Sequence, residues 1–241
     1  MRNSGTIDPV SAIAGKLRKL ADPERAEIHR RFFKTGRGEY GEGDRFLGIR
    51  VPVIRKLAGE FRGLALTDAG KLLRSGWHEE RLFALLTLVD SFKRNNEEVR
   101  KDIYDLYMNS TRWINNWDLV DLSAPHIPGA WLCGRSRNPL HEFAESGDLW
   151  KKRIAIVSTH HFIRMNDFTD TLAISEKLLH DDHDLIHKAV GWMLREVGKR
   201  DPETEEKFLK THYRNMPRTM LRYSIEKFPE EKRRKYLKGE I

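Results

Sequence analysis

The chain is nearly devoid of cysteine. Cys133 is the single copy, so an internal disulfide and a cysteine-rich metal centre are both excluded. Within GAWLCG we expect it to be a small buried core residue. No apolar run approaches the roughly 20 residues needed to cross a bilayer. The first residues, MRNSGTIDPVSAIAGKL, lack the uninterrupted apolar stretch of a secretory signal. Strand-like alternation bounded by hairpin turns is missing too. These absences argue against a disulfide-stapled secreted domain, a membrane protein and a sheet-based fold, and we expect a soluble, cytoplasmic protein.

What is present is helical material and charge. Hydrophobic residues make up 39% of 241, enough to build a core, and charged residues 33%. Lys and Arg number 44 against 36 Asp and Glu, a formal net charge of +8, and the pI is near 9.5. A basic balance favours a polyanionic partner such as nucleic acid. The plainer alternative is a mixed, solvated surface, since the acids are interspersed among the bases.

Apolar residues recur at three- and four-residue spacing nearly everywhere, which predicts amphipathic helices. Val10, Ile13, Leu17 and Leu20 form one stripe, ended by Asp22-Pro23; Ile28, Phe32 and Phe33 belong to the next. Leu57 and Phe61 follow Pro52, a residue suited to open a helix. Further helices are predicted over 66–74, 77–94, 97–109, 116–132, 148–165, 168–180, 185–200, 203–212, 217–227 and 230–237. Many helices of similar length joined by short breaks suggest antiparallel pairs stacked as a superhelix, a single all-α solenoid domain over 1–241. Stacking of that kind offers an extended concave surface for a long ligand.

Two patterns invite a reading that their context does not support. GRGEYGEGD (36–44) contains G-x-G-x-x-G at Gly36, Gly38 and Gly41. A dinucleotide fingerprint must follow a strand and open a helix; here a helix precedes it, so we read a mobile surface loop and expect no NAD site. His160-His161 and the His180, His183, His187 group resemble metal ligands. H-E-x-x-H is absent and no further ligands converge in the sequence. We expect no metal or organic cofactor, with Asp182 and Asp184 capping the next helix.

STRWINNWDLVDLSAPHI carries more information. On a helix, Trp113, Trp117 and Asp121 are spaced by four and share one face, with Asp118 off that line and Leu119 and Leu122 available to the core. An indole beside a carboxylate suits a cationic ligand through ring-face and Coulomb attraction; the competing reading is a core tryptophan with a hydrogen-bonding acid. LWKKRIAIVS places Arg153 among core-spaced residues. IHKAVGWMLREVGK places Trp192 with Lys188, Arg195 and Lys199 on one helix, next to Gly191, where another backbone or a ligand can approach closely.

NNWDLVD, LWKKRIAIVS and IHKAVGWMLREVGK resemble the signature segments of the AlkD family of DNA alkylation repair proteins. FLGIRVPVIRKLA and TMLRYSIEKF fit the same family, in the same order, across Ala26 to Phe228. The resemblance implies a superhelix of HEAT-like repeats binding duplex DNA in a basic groove. It puts the family's catalytic aspartate on Asp121, its lesion-facing tryptophans on Trp117 and Trp192, and its groove arginine on Arg153. Phe32 stands where the best-known relatives carry tyrosine, which removes a hydroxyl and keeps a ring face. Arg50, Lys188, Arg195 and Arg222 are further expected DNA contacts, chosen from the family-like segments.

The activity so implied is that of a monofunctional DNA glycosylase, a hydrolase that releases cationic 3-alkyladenine and 7-alkylguanine from double-stranded DNA and initiates base excision repair. No lysine falls between Trp117 and Asp121 to suggest a Schiff base. We expect a monomer acting at the nucleoid, with no membrane and no obligate protein partner. The alternatives are a non-catalytic AlkD-like binder of branched or distorted DNA, and a helical-repeat scaffold for proteins.

Overall fold

A computed structural model describes residues 8–241; the start of the N-terminal segment considered above, residues 1–7, lies outside the described residues. The described chain is helical throughout, and its nearest approach to a sheet is an isolated bridge between Arg45 and Trp77. Among the described residues no helix is long and apolar enough to cross a membrane. The chain divides into two compact units, one ending at Ser123 and the other running Ala124–Ile241.

Unit 1 holds α1 (Pro9–Lys19), α2 (Pro23–Phe32), α3 (Val51–Glu60), α4 (Leu66–Leu73), α5 (His78–Arg94), α6 (Glu97–Met108), a short 3-10 turn (Thr111–Trp113) and α7 (Trp117–Ser123). The start of α2 shows why the sequence punctuates as it does. Asp22 accepts the backbone N–H of Arg25 at 2.9 Å and Pro23 occupies the first helical position, where its missing N–H costs nothing. Unit 1 is centred on α5, which packs against α3, α4 and α7. From Leu82 to Leu85 it is buried on every side, so α5 is a core helix with no solvated face.

Unit 2 holds α8 (Pro128–Leu132), α9 (Asn138–Ala144), α10 (Leu149–Ser158), α11 (His160–Arg164), α12 (Thr169–Lys177), α13 (Asp184–Gly198), α14 (Pro202–His212), α15 (Arg218–Ser224), a 3-10 turn (Ile225–Lys227) and α16 (Glu230–Lys238). In both units a helix packs on its successor and also on the second helix along: α4 on α5 and α3 on α5, then α9 on α10 and α13 on α15. That is the packing of stacked helical hairpins. A close approach is that of α13 against α15. A Cβ on Gly191 would stand 2.5 Å from the Met220 carbonyl oxygen and 2.5 Å from the Tyr223 Cβ, so this glycine admits a neighbouring backbone.

Several local expectations need correction. The helix predicted over 116–132 stops at Ser123 and resumes at Pro128, because Pro125 and Pro128 lack an N–H and disfavour helical geometry in the residues before them. Trp113 lies in the 3-10 turn, and the Asn115-Asn116 break lets α7 begin only at Trp117; Trp113 therefore does not share a helix face with Trp117 and Asp121. The segment 148–165 divides at Thr159, and α9 was not foreseen. Cys133 is half-buried at the end of α8 instead of lying in the core. The cap of α13 is His183, whose Nδ1 accepts the Leu185 N–H at 3.1 Å; Asp184 is already helical, and Asp181 accepts the His183 N–H. Leu20 ends its stripe 44% exposed.

Unit 2 buries one carboxyl with little compensation. Glu205 on α14 is 2% exposed, and its Oε1 has no hydrogen-bond partner. Burial raises its pKa to about 8, against the attraction of Lys232 and Arg195. The folded state therefore holds a proton that the unfolded chain gives up near the ordinary value of 4.5. The contribution of this one group is most favourable below pH 4.5 and is lost as pH rises through about 8. Glu205→Gln fixes the neutral form. In urea unfolding it should be near neutral at pH 4.5 and stabilising at pH 8.5 by on the order of 3 kcal/mol.

Candidate DNA-repair site

The site begins in the first turn of α5. His78, Glu79, Glu80 and Arg81 are four consecutive ionisable residues, and all are buried. A buried charge is tolerated only with partners, and these side chains between them draw in several segments. Glu79 accepts three backbone N–H groups, from Leu47 and Gly48 at 2.8 Å and from Ile49 at 3.2 Å, and lies 3.8 Å from His29 of α2. Only glycine fits at position 48: its φ is +81°, and a Cβ would stand 2.2 Å from the Asp22 carbonyl oxygen. In return Leu47 accepts the Asp22 N–H at 2.8 Å. The segment Phe46–Ile49 is thereby clamped between α2 and α5.

His78 uses both ring nitrogens. Nδ1 is 2.9 Å from Asp44 and Nε2 is 2.8 Å from Asp118. Arg81 donates to the second oxygen of Asp44 at 2.7 Å. Burial by itself disfavours the charged imidazole, but Asp118 and Asp44 override it and hold the His78 pKa up at about 9. His78 is therefore an imidazolium at neutral pH, donating to two carboxylates. The Asp44 carboxyl is correspondingly held below its ordinary range: burial opposes this, and the hydrogen bond and charge of His78, then Arg81, prevail.

A run of rings starts from the same imidazole. His78 stacks on Phe46 with centroids 4.5 Å apart, Phe46 on Phe33 at 5.0 Å, and Phe33 on Trp117 at 5.2 Å, the last two pairs within 17° of parallel. Phe32 meets the Trp117 ring edge-on at 5.8 Å and is itself 61% exposed. Trp117 opens α7 and is half-buried; Asp118, the next residue, carries the bond to His78. Asp121 follows one turn later on the Trp117 face and is half-buried. It lies close enough to Tyr107 that its charge adds to the burial that raises that phenol's pKa, against the Ser123 hydrogen bond.

Of the predicted residues of unit 1, Phe32 and Trp117 are in contact and Asp121 shares the α7 face of Trp117, while Arg50 is exposed at the start of α3. In unit 2, Arg153 is only 5% exposed and donates to the Leu185 carbonyl at 2.5 Å. Trp192 is half-buried, donates to Glu196 at 3.1 Å and lies 5.9 Å from His160. Lys188 pairs with Asp184 at 2.7 Å, Arg195 pairs with Glu226, and Arg222 is exposed. His187 donates to the Asp181 carbonyl, so this histidine serves the turn before α13. The loop 36–44 is a series of turns in which Glu39 and Glu42 accept the Gly36 and Gly38 N–H groups at 2.8 Å.

Asp44, His78, Glu79 and Arg81 escaped the sequence reading. For the three on α5 the signal was WHEER set directly before the apolar run LFALL: a helix apolar on all sides buries its polar first turn as well.

Comparison with known proteins now places the chain. Residues 13–228 match the profile of a family described as DNA alkylation repair enzyme. The chain belongs to the DNA alkylation repair enzyme family. Its role accordingly lies in the repair of alkylation damage to DNA. A solved structure from Enterococcus faecalis, described as a predicted DNA alkylation repair enzyme, is similar at a TM-score of 0.68 and 16% identity, over 88% of this chain and 98% of that one. A protein of Streptococcus mutans designated smu.31 is similar at a TM-score of 0.50 and 17% identity, over 92% and 99%. At such identities the likeness speaks for the fold. None of the curated proteins matches the chain.

The His78 pairing makes unit 1 sensitive to alkali. Its folded pKa, about 9, exceeds the unfolded 6.5, so its contribution is complete below pH 6.5 and lost as pH rises through 9. In urea unfolding His78 should account for a fall on the order of 3 kcal/mol across that window, read as the difference in slope between the wild type and His78→Phe. His78→Phe should be less stable at pH 6.5 and lack that part of the slope.

Proposed function

We propose that this family member is a monofunctional glycosylase that hydrolyses the N-glycosidic bond of cationic alkylated purines, 3-alkyladenine and 7-alkylguanine, in duplex DNA. The observation that carries this reading is the placement of a half-buried carboxylate, Asp121, one turn from an indole, Trp117, that is fixed by stacking on Phe33. A carboxylate beside a ring face stabilises positive charge, by Coulomb attraction and by the ring quadrupole.

An alkyl group at N3 or N7 makes the purine a cationic leaving group. As the bond from C1′ to the base nitrogen breaks, its electron pair leaves with the base, which departs neutral, and the positive charge passes to the deoxyribose. Asp121 stabilises that oxocarbenium-like sugar and orients the water whose oxygen bonds to C1′, accepting the released proton. Trp117 and the exposed ring of Phe32 hold the sugar and backbone of the lesion nucleotide. In unit 2, Trp192 is a proposed ring contact to DNA. Lys188, Arg195 and Arg222, with Arg50 of unit 1, are proposed phosphate contacts. Arg153, buried and bonded to the Leu185 carbonyl, contributes to the packing of α10 and α13.

Asp121→Asn tests the reading, because it keeps size and hydrogen bonding and removes the charge. Release of 7-methylguanine from methylated duplex should fall about a hundredfold or more, with DNA affinity and thermal unfolding nearly unchanged. Equal rates for the two proteins would overturn the catalytic assignment. A wild type that releases no base but binds branched DNA tightly would replace it with a structure-binding role. Affinity for duplex should also drop steeply between 50 and 200 mM salt, as about one counterion is released per phosphate contact; a flat response excludes binding through these cations.

A further inference from the structure

We propose that the buried Asp44–His78–Asp118 assembly, with the ring stack leading from His78 through Phe46 and Phe33 to Trp117, is a positioning device that fixes the orientation of Trp117 and Asp121 for base release, with His78 as its positioning residue. The inference rests on the glycosylase reading above for its rate prediction, and on geometry alone for its structural one.

Two separate constraints run from one imidazole to one short helix. The first is polar. Nε2 of His78 bonds Asp118 at 2.8 Å, and Asp118 is the second residue of α7, adjoining Trp117 and less than one turn before Asp121. Its other oxygen accepts the Leu119 N–H at 2.9 Å, so the bond grips the first turn of α7 and sets the rotation of that helix about its own axis. The second is steric. The Trp117 ring lies flat on Phe33, Phe33 on Phe46, and Phe46 on the His78 ring. Since Nδ1 and Nε2 are both engaged, the imidazole cannot turn without losing a charge-assisted bond. The plane of the stack is thereby fixed at the end far from Trp117.

A purely stabilising role would be an uneconomical use of these residues. Replacing buried ion pairs by apolar side chains of similar volume is often neutral or favourable. What charged partners supply, and apolar ones do not, is direction. Here they join a loop residue, a helix start and α7 at fixed angles. His78 is faced by Asp44 from the loop before α3, by Asp118 from α7, by Arg81 and Glu79 from its own helix, and by His29 from α2. The last is kept toward its neutral form by burial, so His78 is the cation that the two carboxylates share, with Arg81 pairing Asp44 alone.

The test compares Asp118→Asn with Asp118→Ala in protein carrying 5-fluorotryptophan, the Trp117 signal being assigned by its loss in Trp117→Phe. Single-turnover release of 7-methylguanine is measured with enzyme saturating, beside the Kd for the same duplex. Asn keeps an oxygen for His78 Nε2, so Asp118→Asn should retain the rate within about threefold and leave the Trp117 fluorine signal sharp. Asp118→Ala should lose about thirtyfold or more in rate, the scale expected of small misplacement. Its Kd should move less than threefold, and its Trp117 signal should shift or broaden. An Asp118→Ala protein with an unchanged rate and signal, however destabilised, overturns the proposal. If the wild type releases no base, the glycosylase reading fails, and the fluorine signal still decides the positioning claim. Should Asp118→Ala not fold, His78→Gln replaces it, since an amide serves one carboxylate at a time. A lower rate and a broadened Trp117 signal then support the device, and their absence refutes it.

Discussion

The first turn of α5 places an imidazole, two carboxylates and a guanidinium inside unit 1, and none of them can stay there alone. Desolvating an unpaired charge costs several kcal/mol, so each group obliges some other part of the chain to come to it. Glu79 collects the backbone of Leu47, Gly48 and Ile49; Arg81 and His78 collect Asp44; His78 also collects Asp118. The extended stretch before α3, the end of the glycine-rich loop and the start of α7 are all located by bonds to one helical turn. The aromatic residues that accompany these segments, Phe46, Phe33 and Trp117, then stack because their backbones have already been brought together.

The helical class was legible because amphipathic period needs no tertiary information. Most helices predicted from apolar spacing are present, and the breaks that were missed fall at Pro125, Pro128 and Thr159, where local backbone chemistry interrupts an otherwise continuous pattern. Trp117 and Asp121 were legible because four-residue spacing is a local property. The assembly beneath them was not, since Asp44, His78 and Asp118 are separated by more than thirty residues at each step and no periodicity connects them. GRGEYGEGD read as a surface loop from its glycines, and its early part is one; the final residue, Asp44, is buried because it closes a charge pair across the core.

Arg153 sits among core-spaced residues in the sequence, and only the family resemblance put it in a DNA groove; in the structure it is 5% exposed and bonded to the Leu185 backbone carbonyl. An arginine flanked by Ile154 and Lys152 carries no sign in the sequence of which way its guanidinium is turned. The same applies to Arg195, whose pairing with Glu226 joins α13 to the turn after α15.

α7 spans only Trp117 to Ser123, fewer than two turns. A helix that short has no standing of its own in water, because nucleation costs more than so few hydrogen bonds return. The chain therefore carries its indole and carboxylate on a segment whose helical state is borrowed from neighbours. Freeing Asp118 from the core removes one of the bonds that hold this segment, which the buried Leu119 and Val120 and the Ser123–Tyr107 hydrogen bond also anchor. Local opening of this kind is far more frequent than global unfolding. On the proposed function, the fraction of molecules competent for base release then depends on the local opening of this one short segment, which can shift while the helices elsewhere stay intact.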